Sequence, residues 1–295
     1  MALSHLLVGA SSHPVSPTIR RVGPADLFQA LALGFDDFAA MPSHAVFLCI
    51  IYPLLGLWLI SLASGYSMLP LAFPLAAGFA LIGPFAAIGL YELSRRREAG
   101  LDTSSSHAFD VLYSPSFGAI LALGLLLMAI FLIWLAVAQE IYTAAFGYAA
   151  PASIGEFAND VFTTSAGWTL IVVGTGVGFL FAVVALTIGA VSFPLLLDRD
   201  VGAAVALFTS IRVVAANPLT MALWGFIVAA LLVIGSLPFF LGLTVVMPVL
   251  GHATWHLYRK AVEPDLAPHP DDRPPDRGRR YAADFPASLF PTRRA

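Results

Sequence analysis

The fold of this chain is constrained most by its long apolar runs. A helix needs about 20 apolar residues to cross the hydrocarbon core of a bilayer. Six runs of about this length lie near residues 44–63, 69–91, 117–138, 167–190, 219–236 and 238–257. The chain is 59% hydrophobic and 11% charged, whereas soluble domains carry about 25% charged residues. Because backbone groups must be paired inside a bilayer, we predict an all-α membrane protein with six transmembrane helices.

The basic residues predict the orientation of these helices. With six spans they all lie on one side of the membrane, at Arg20, Arg21, Arg95, Arg96, Arg97, Arg199, Arg212, Arg259, Lys260 and the arginines of the C-terminal tail. Loops rich in arginine and lysine stay in the cytoplasm, so both termini are expected there. The residues that set this topology most clearly are Arg95, Arg96, Arg97, Arg259 and Lys260. The preference for arginine over lysine suggests a GC-rich bacterial genome, and we therefore expect a multi-pass protein of the bacterial inner membrane.

The segments outside the spans divide the chain into three parts. Residues 1–18 lack the basic start and the long apolar core of a signal sequence, and they are expected to form a disordered tail. Residues 19–263 form the membrane domain. Residues 264–295 are rich in Pro, Arg and Asp, with little to bury, and are expected to be a disordered cytoplasmic tail.

Two short helices are expected at the membrane surface. Apolar residues recur at helical spacing at Leu27, Leu31, Phe35 and Phe38, with acidic residues elsewhere on the turn. This pattern predicts an interfacial helix that ends near Pro42. In the loop 139–166, Ser153 and Glu156 have the spacing of a capping box. We interpret the helix that follows as a cover over the end of the bundle, with a docking surface as the alternative.

A weak internal repeat predicts how the spans are grouped. Pro42, Pro115 and Pro218 each precede an odd-numbered span and follow a short helical stretch. The simplest architecture is three units, each an interfacial helix followed by a helix hairpin. Such repeats are common in membrane bundles and do not by themselves indicate transport.

Two histidines near the end of the sixth run are the sharpest candidate site. His252 and His256 stand four residues apart, so on a helix they face the same way and can share a metal ion or serve as haem ligands. Glu92 occupies the matching place after the second run and is a candidate third ligand. The alternatives are that the histidines anchor the span at the interface beside Trp255, and that Glu92 pairs with a nearby arginine.

Other chemistries find little support in the sequence. A catalytic oxidase subunit needs several intramembrane histidines on different spans, and this chain has too few. No predicted span has a charge at its centre, which disfavours a proton-coupled pump. The glycines of Gly174–Gly178 (GTGVG) lie inside a span, so they predict a helix-packing face rather than a nucleotide loop. The single cysteine, Cys49, excludes an internal disulfide. No pattern supports nucleic-acid binding or an enzyme active site.

Four segments resemble a known family. They are GFDDFAAMPSHAVFLCIIYPLLGL, GLYELSRRREAGLD, FPLLLDRDVGAAVALFTSIRVVAANP and GHATWHLYRK. They are similar to a domain-of-unknown-function family of bacterial integral membrane proteins, some of which are labelled as a cytochrome c oxidase subunit. The resemblance covers about residues 20–263. It implies a membrane protein that associates with a terminal oxidase, and it supplies no catalytic residues.

Three functions follow as hypotheses. The first is a non-catalytic accessory or structural partner of a membrane complex, with respiratory oxidase subunits as the expected partners. The second is a small-molecule transporter or channel, which the repeats and the prolines within the spans suggest. The third is a metal- or haem-handling protein that uses His252, His256 and Glu92. In the first two no cofactor is expected, and the lipid bilayer is a partner in all three.

Overall fold

The computed structural model describes residues 17–41, 54, 69–79, 83–148, 151–238 and 240–264. All of these residues belong to one compact unit that ends at Pro264. The described part is helical, and its only β-type pairing is an isolated antiparallel bridge between Ile19 and Val262. Almost all of the two predicted tails lies outside the described residues.

The described helices have the following bounds. In chain order they are α1 (Pro24–Ala40), α2 (Ala72–Phe79), α3 (Gly83–Ala86), α4 (Ile88–Glu98), α5 (Phe117–Phe146), α6 (Ile154–Thr163), α7 (Ser165–Asp198), α8 (Gly202–Ala216), α9 (Pro218–Ser236) and α10 (Leu243–Ala261). Two 3₁₀ helices, Leu69–Leu71 and Ser105–Tyr113, precede α2 and α5.

Three of these helices are long and apolar enough to cross a membrane. They are α5, α7 and α9, and their most apolar windows have mean hydropathies of 3.0, 2.5 and 2.2. This confirms an all-helical membrane protein, but six spans and a threefold hairpin repeat are not confirmed. The predicted span 44–63 lies outside the described residues. The predicted span 69–91 is divided among shorter helices, and α10 carries too many polar residues to match the other three.

Helix α7 continues well beyond the predicted span 167–190. Its 34 residues correspond to about 51 Å at 1.5 Å per residue, against a hydrocarbon core of about 30 Å. Eleven of its last fourteen residues, 185–198, are buried, whereas only one of its first twenty is. Helix α7 packs against α4, α8 and α10, and residues 187–198 form hydrogen bonds with α8 and α10.

Helix α1 packs closely against α10. A Cβ atom on Gly34 would lie 2.6 Å from the backbone nitrogen of Ala253, so the two backbones are in contact at this point. The buried residues of α1 are Leu27, Ala30, Gly34 and Asp37. The predicted apolar face was therefore partly wrong, because Phe35 is 55% exposed while Asp37, expected on the solvated side, is buried. The small residues of α1 allow the close approach, and they decide which face is inside.

The hairpin α9–α10 begins and ends beside the same segment of chain. Asn217, just before α9, accepts a hydrogen bond from the Val22 backbone N–H (2.9 Å). At the end of α10, the N–H of Arg20 donates to the Ala261 carbonyl (2.8 Å), and the N–H of Glu263 donates to Thr18 (2.9 Å). Residues 18–22 thus lie beside both the start of α9 and the end of α10. We call this region of the molecule the polar end.

Candidate functional site: the Asp37 cluster

The two candidate histidines do face the same way on α10, and they meet a carboxylate from α1. His256 Nε2 lies 2.8 Å from Asp37 Oδ2, and His252 Nδ1 lies 3.9 Å from the same oxygen. Helix α4 contributes Ser94 and Arg97. We call these five residues, Asp37, Ser94, Arg97, His252 and His256, the Asp37 cluster.

Ser94 links the carboxylate to His252. Its Oγ lies 2.6 Å from Asp37 Oδ2 and 2.7 Å from His252 Nδ1. Asp37 is a carboxylate and only accepts, so Ser94 donates its one hydrogen to Asp37. The other hydrogen bond of Ser94 then requires that His252 Nδ1 carries a hydrogen and donates it to Ser94. The three groups therefore form a directional chain from ring to hydroxyl to carboxylate, buried at every member.

Arg97 completes the set on the other carboxylate oxygen. Its Nη1 donates to Asp37 Oδ1, so Asp37 accepts hydrogen bonds on both oxygens. Burial alone would raise the pKa of Asp37, but the hydrogen bonds from His256, Ser94 and Arg97 more than offset it. The pKa of Asp37 is consequently held below its ordinary value, and the group is a carboxylate at neutral pH.

His252 is the most enclosed member of the cluster. Its side chain is fully buried, and Nε2 has no hydrogen-bond partner of acceptable geometry among the described residues. Trp255, the residue expected beside the histidines at the interface, is buried as well.

Glu92, the third candidate ligand, lies in a different set of contacts. Arg95 binds both of its carboxylate oxygens at 2.8 Å, and Arg96 Nε lies 3.1 Å from Oε1. Arg96 also pairs with Asp110 at 3.0 Å, and His107 Nδ1 lies 2.6 Å from Asp110. The prediction that Glu92 pairs with a nearby arginine is confirmed.

A further set of contacts joins α4, α7 and α10 at the polar end. Glu98 accepts hydrogen bonds from Trp255 Nε1 (2.9 Å) and Arg259 Nε (3.0 Å). Asp198, at the end of α7, accepts from the Tyr258 hydroxyl at 2.5 Å. The basic residues predicted to set the topology thus also connect helices.

The cluster can bind three helices together, and its suitability for a metal is limited. Within the described ranges, no group of three or more His, Cys, Asp or Glu side chains is arranged to hold a metal ion. The guanidinium of Arg97 already neutralises Asp37, and Glu92 is bound by arginines. Metal binding by His252, His256 and Glu92 stays a prediction.

Comparison with known proteins addresses the family directly. Residues 72–198 match the model of a family described as "Predicted integral membrane protein (DUF2189)". This match confirms the family resemblance over residues 72–198. The DUF2189 description does not mention an oxidase. No curated protein and no solved structure matches the chain.

The DUF2189 segment contains only part of the cluster. Ser94 and Arg97 lie within residues 72–198, whereas Asp37, His252 and His256 come from the flanking segments. Sequence reasoning missed Asp37, Ser94 and Arg97 as members of the site. One signal was present, because Asp37 continues the helical spacing of Leu27, Ala30 and Gly34, which is a face of small and apolar residues.

Proposed function

We propose that this protein is a non-catalytic accessory or structural subunit of a membrane complex, with respiratory oxidase subunits as the first partners to test. One observation carries the proposal. In the most apolar windows of α5, α7 and α9, only 22%, 11% and 17% of the residues are buried within the chain. Surfaces this apolar must be covered by lipid or by the helices of a partner.

The polar groups support the same proposal. Asp37, Glu92, Glu98 and Asp198 are each bound by side chains of this chain. They are used to join helices and are not left open toward a substrate. The long apolar surface of α5, α7 and α9 is what a partner's helices would cover.

The proposal includes a topology. We infer six spans, with both termini in the cytoplasm of a bacterial cell, in units of one interfacial helix and one hairpin. The hairpin α9–α10 supports an even number, because Asn217 and Val262 both lie beside residues 18–22. The clustering of basic residues at that same end supports a cytoplasmic position for it.

The deciding experiment is purification of the tagged protein from its native membranes in a mild detergent, followed by mass spectrometry of what comes with it. Stoichiometric recovery of oxidase or other respiratory subunits is the expected result. Recovery of the protein alone, in a detergent that keeps a known respiratory complex intact, would reject the accessory function. Phe179, 66% exposed on α7, is a site for a photo-crosslinker that would identify the neighbour.

Metal or haem handling is the second candidate, because His252 and His256 converge on one carboxylate. The test is the metal content and the haem spectrum of the purified protein and of a His252→Ala/His256→Ala variant. Bound metal in the wild type and its loss in the variant would favour this function. A wild-type protein with neither metal nor haem would exclude it.

Transport is the third candidate. A groove of about 460 Å³ between α5 and α7 is lined by apolar residues together with Glu140 and Thr169. Such a lining suits an apolar chain better than a hydrated solute. Uptake of a panel of small solutes into proteoliposomes above the level of empty liposomes would favour transport over the accessory function.

A further inference from the structure

Most cations of the polar end have a carboxylate partner within the chain. The pairs are Arg20–Glu263, Arg95–Glu92, Arg96–Asp110, Arg97–Asp37, Arg199–Asp198, Arg259–Glu98 and Lys260–Asp26. Arg21 and Arg212 are different, because neither has a carboxylate partner among the residues that the structure describes. Both side chains are exposed. Within the described ranges, these two positive charges therefore have no anionic group beside them.

Both arginines are associated with the C-terminal turns of α8. The Nη1 of Arg21 donates a hydrogen bond to the carbonyl of Ala216, the last residue of α8. Arg212 precedes Ala216 by four residues, which is about one helical turn and about 6 Å along the axis. The side chain of Arg212 therefore starts about one turn from the carbonyl that Arg21 binds.

Exposed apolar side chains are neighbours of Arg212 on α8 and at the start of α9. On the same helix, Phe208 is 64% exposed and Ile211 is 38% exposed, while Leu219 at the start of α9 is 85% exposed. Phe208, Ile211, Arg212 and Ala215 follow helical spacing along the exposed side of α8. An exposed face that combines apolar residues with arginine is typical of the membrane–water interface.

We propose that Arg21 and Arg212 form a binding site for the phosphate of an anionic phospholipid, whose acyl chains lie against Phe208 and Leu219. Each guanidinium has five N–H donors, and Arg21 uses only its Nη1 group on Ala216. The remaining donors are suited to a phosphate, which arginine binds in a bidentate manner. The apolar residues beside the pair select a lipid over a free phosphate ion.

The test is native mass spectrometry of the full chain in detergent with equal amounts of phosphatidylglycerol and phosphatidylcholine. The wild type should retain phosphatidylglycerol preferentially. In Arg21→Gln/Arg212→Gln this preference should fall about 30-fold, because each arginine near an anionic surface contributes about a five-fold gain in affinity. Arg259→Gln/Lys260→Gln is the matched control, since it removes the same charge from cations that already have partners.

The outcomes are distinct. Loss of the preference in the first variant and its retention in the control would establish the site. Equal retention of both lipids by the wild type, or equal loss in both variants, would reject it. Displacement of the lipid by an excess of inorganic phosphate would assign the site to free phosphate instead. If the double variant fails to fold, the single variant Arg212→Gln, at an exposed position, carries the test with an expected five-fold loss.

Discussion

The polar end and the apolar half of α7 are stabilised in opposite ways, although one helix runs through both. The last fourteen residues of α7, 185–198, pack against α4, α8 and α10, and they end at Asp198, which binds Tyr258. The first twenty present side chains such as Val172 and Phe179 to the outside, each 66% exposed. The first twenty residues need lipid or a neighbouring subunit to cover their side chains. Residues 185–198 are covered by other helices of this chain.

This difference separates two kinds of mutational effect. At the polar end a substitution removes a specific partner inside the chain, so its cost is set by burial and hydrogen bonding. In the apolar half a substitution changes the contact with lipid or a neighbouring subunit. Its cost is therefore set by the free energy of moving the new side chain from water into the membrane.

Asp37→Ala should cause the largest loss. It leaves Arg97 and His256 without their shared carboxylate, and breaking a buried pair typically costs about 3–5 kcal/mol. We expect a much lower midpoint of thermal unfolding in detergent, with the loss of folded protein measured by size-exclusion chromatography. Asp36→Ala is the matched control, because Asp36 is the exposed neighbour on the same turn. Equal behaviour of the two variants would show that the Asp37 cluster does not hold the helices together.

Phe179→Arg should be the most harmful change in the apolar half. A charge at the centre of a transmembrane helix costs about 2.5–3.5 kcal/mol on insertion scales. The expected result is reduced insertion and a lower yield in the membrane fraction. Tyr113→Arg, at a residue that is 88% exposed outside the three membrane-capable helices, should be tolerated. Normal insertion of Phe179→Arg would place this face in water instead of lipid.

Gly34→Ala should separate α1 from α10. The added methyl group would lie 2.6 Å from the backbone of Ala253, which a side-chain rotation does not relieve, and overpacking of this kind costs about 1–3 kcal/mol. The same thermal assay measures the effect. At Gly176 on α7 a Cβ would meet nothing within 4 Å, so Gly176→Ala should leave the midpoint unchanged or raise it. An unchanged midpoint for Gly34→Ala would contradict the close approach of the two helices.

Acidification should weaken the polar end with a smaller, graded effect. The pKa of Asp37 is lower in the folded protein than in the unfolded chain, so its contribution is complete above the unfolded value of about 3.9. It is lost as the pH falls through the folded pKa, with a slope of at most about 1.4 kcal/mol per pH unit for one proton. Unfolding midpoints measured from pH 6 down to about pH 3 should show this component in the wild type. The same component should be missing from Asp37→Asn.

The sequence predicted the apolar half better than the polar end. Helices α5, α7 and α9 follow from hydropathy alone, because lipid requires a continuous apolar run. Their ends do not follow from it, since α7 continues to Asp198 only where other helices cover it. The local spacing predicted that Ser153 is the N-cap of α6, and its Oγ accepts a hydrogen bond from the N–H of Glu156.

The Asp37 cluster was predicted only in part, for a physical reason. The four-residue spacing of His252 and His256 is local and visible in the sequence. Asp37 and Ser94 are 57 residues apart, and Ser94 and His252 are 158 apart. Such pairings depend on how α1, α4 and α10 pack, and close packing at Gly34 has no signature in hydropathy.

The predicted helix-packing role of the glycines in α7 was only partly right. A Cβ on Gly178 would contact Trp134, whereas a Cβ on Gly174 would meet nothing within 4 Å.

The hydrogen bond between Asp37 and His256 can form only late in biosynthesis. The two residues are separated by 219 positions, and ribosomes add about 5–20 residues per second. Asp37 therefore leaves the ribosome about 10–45 s before His256 does. During that interval α1 lacks the helix that covers its buried face, so the polar end closes only when the last helix has been made.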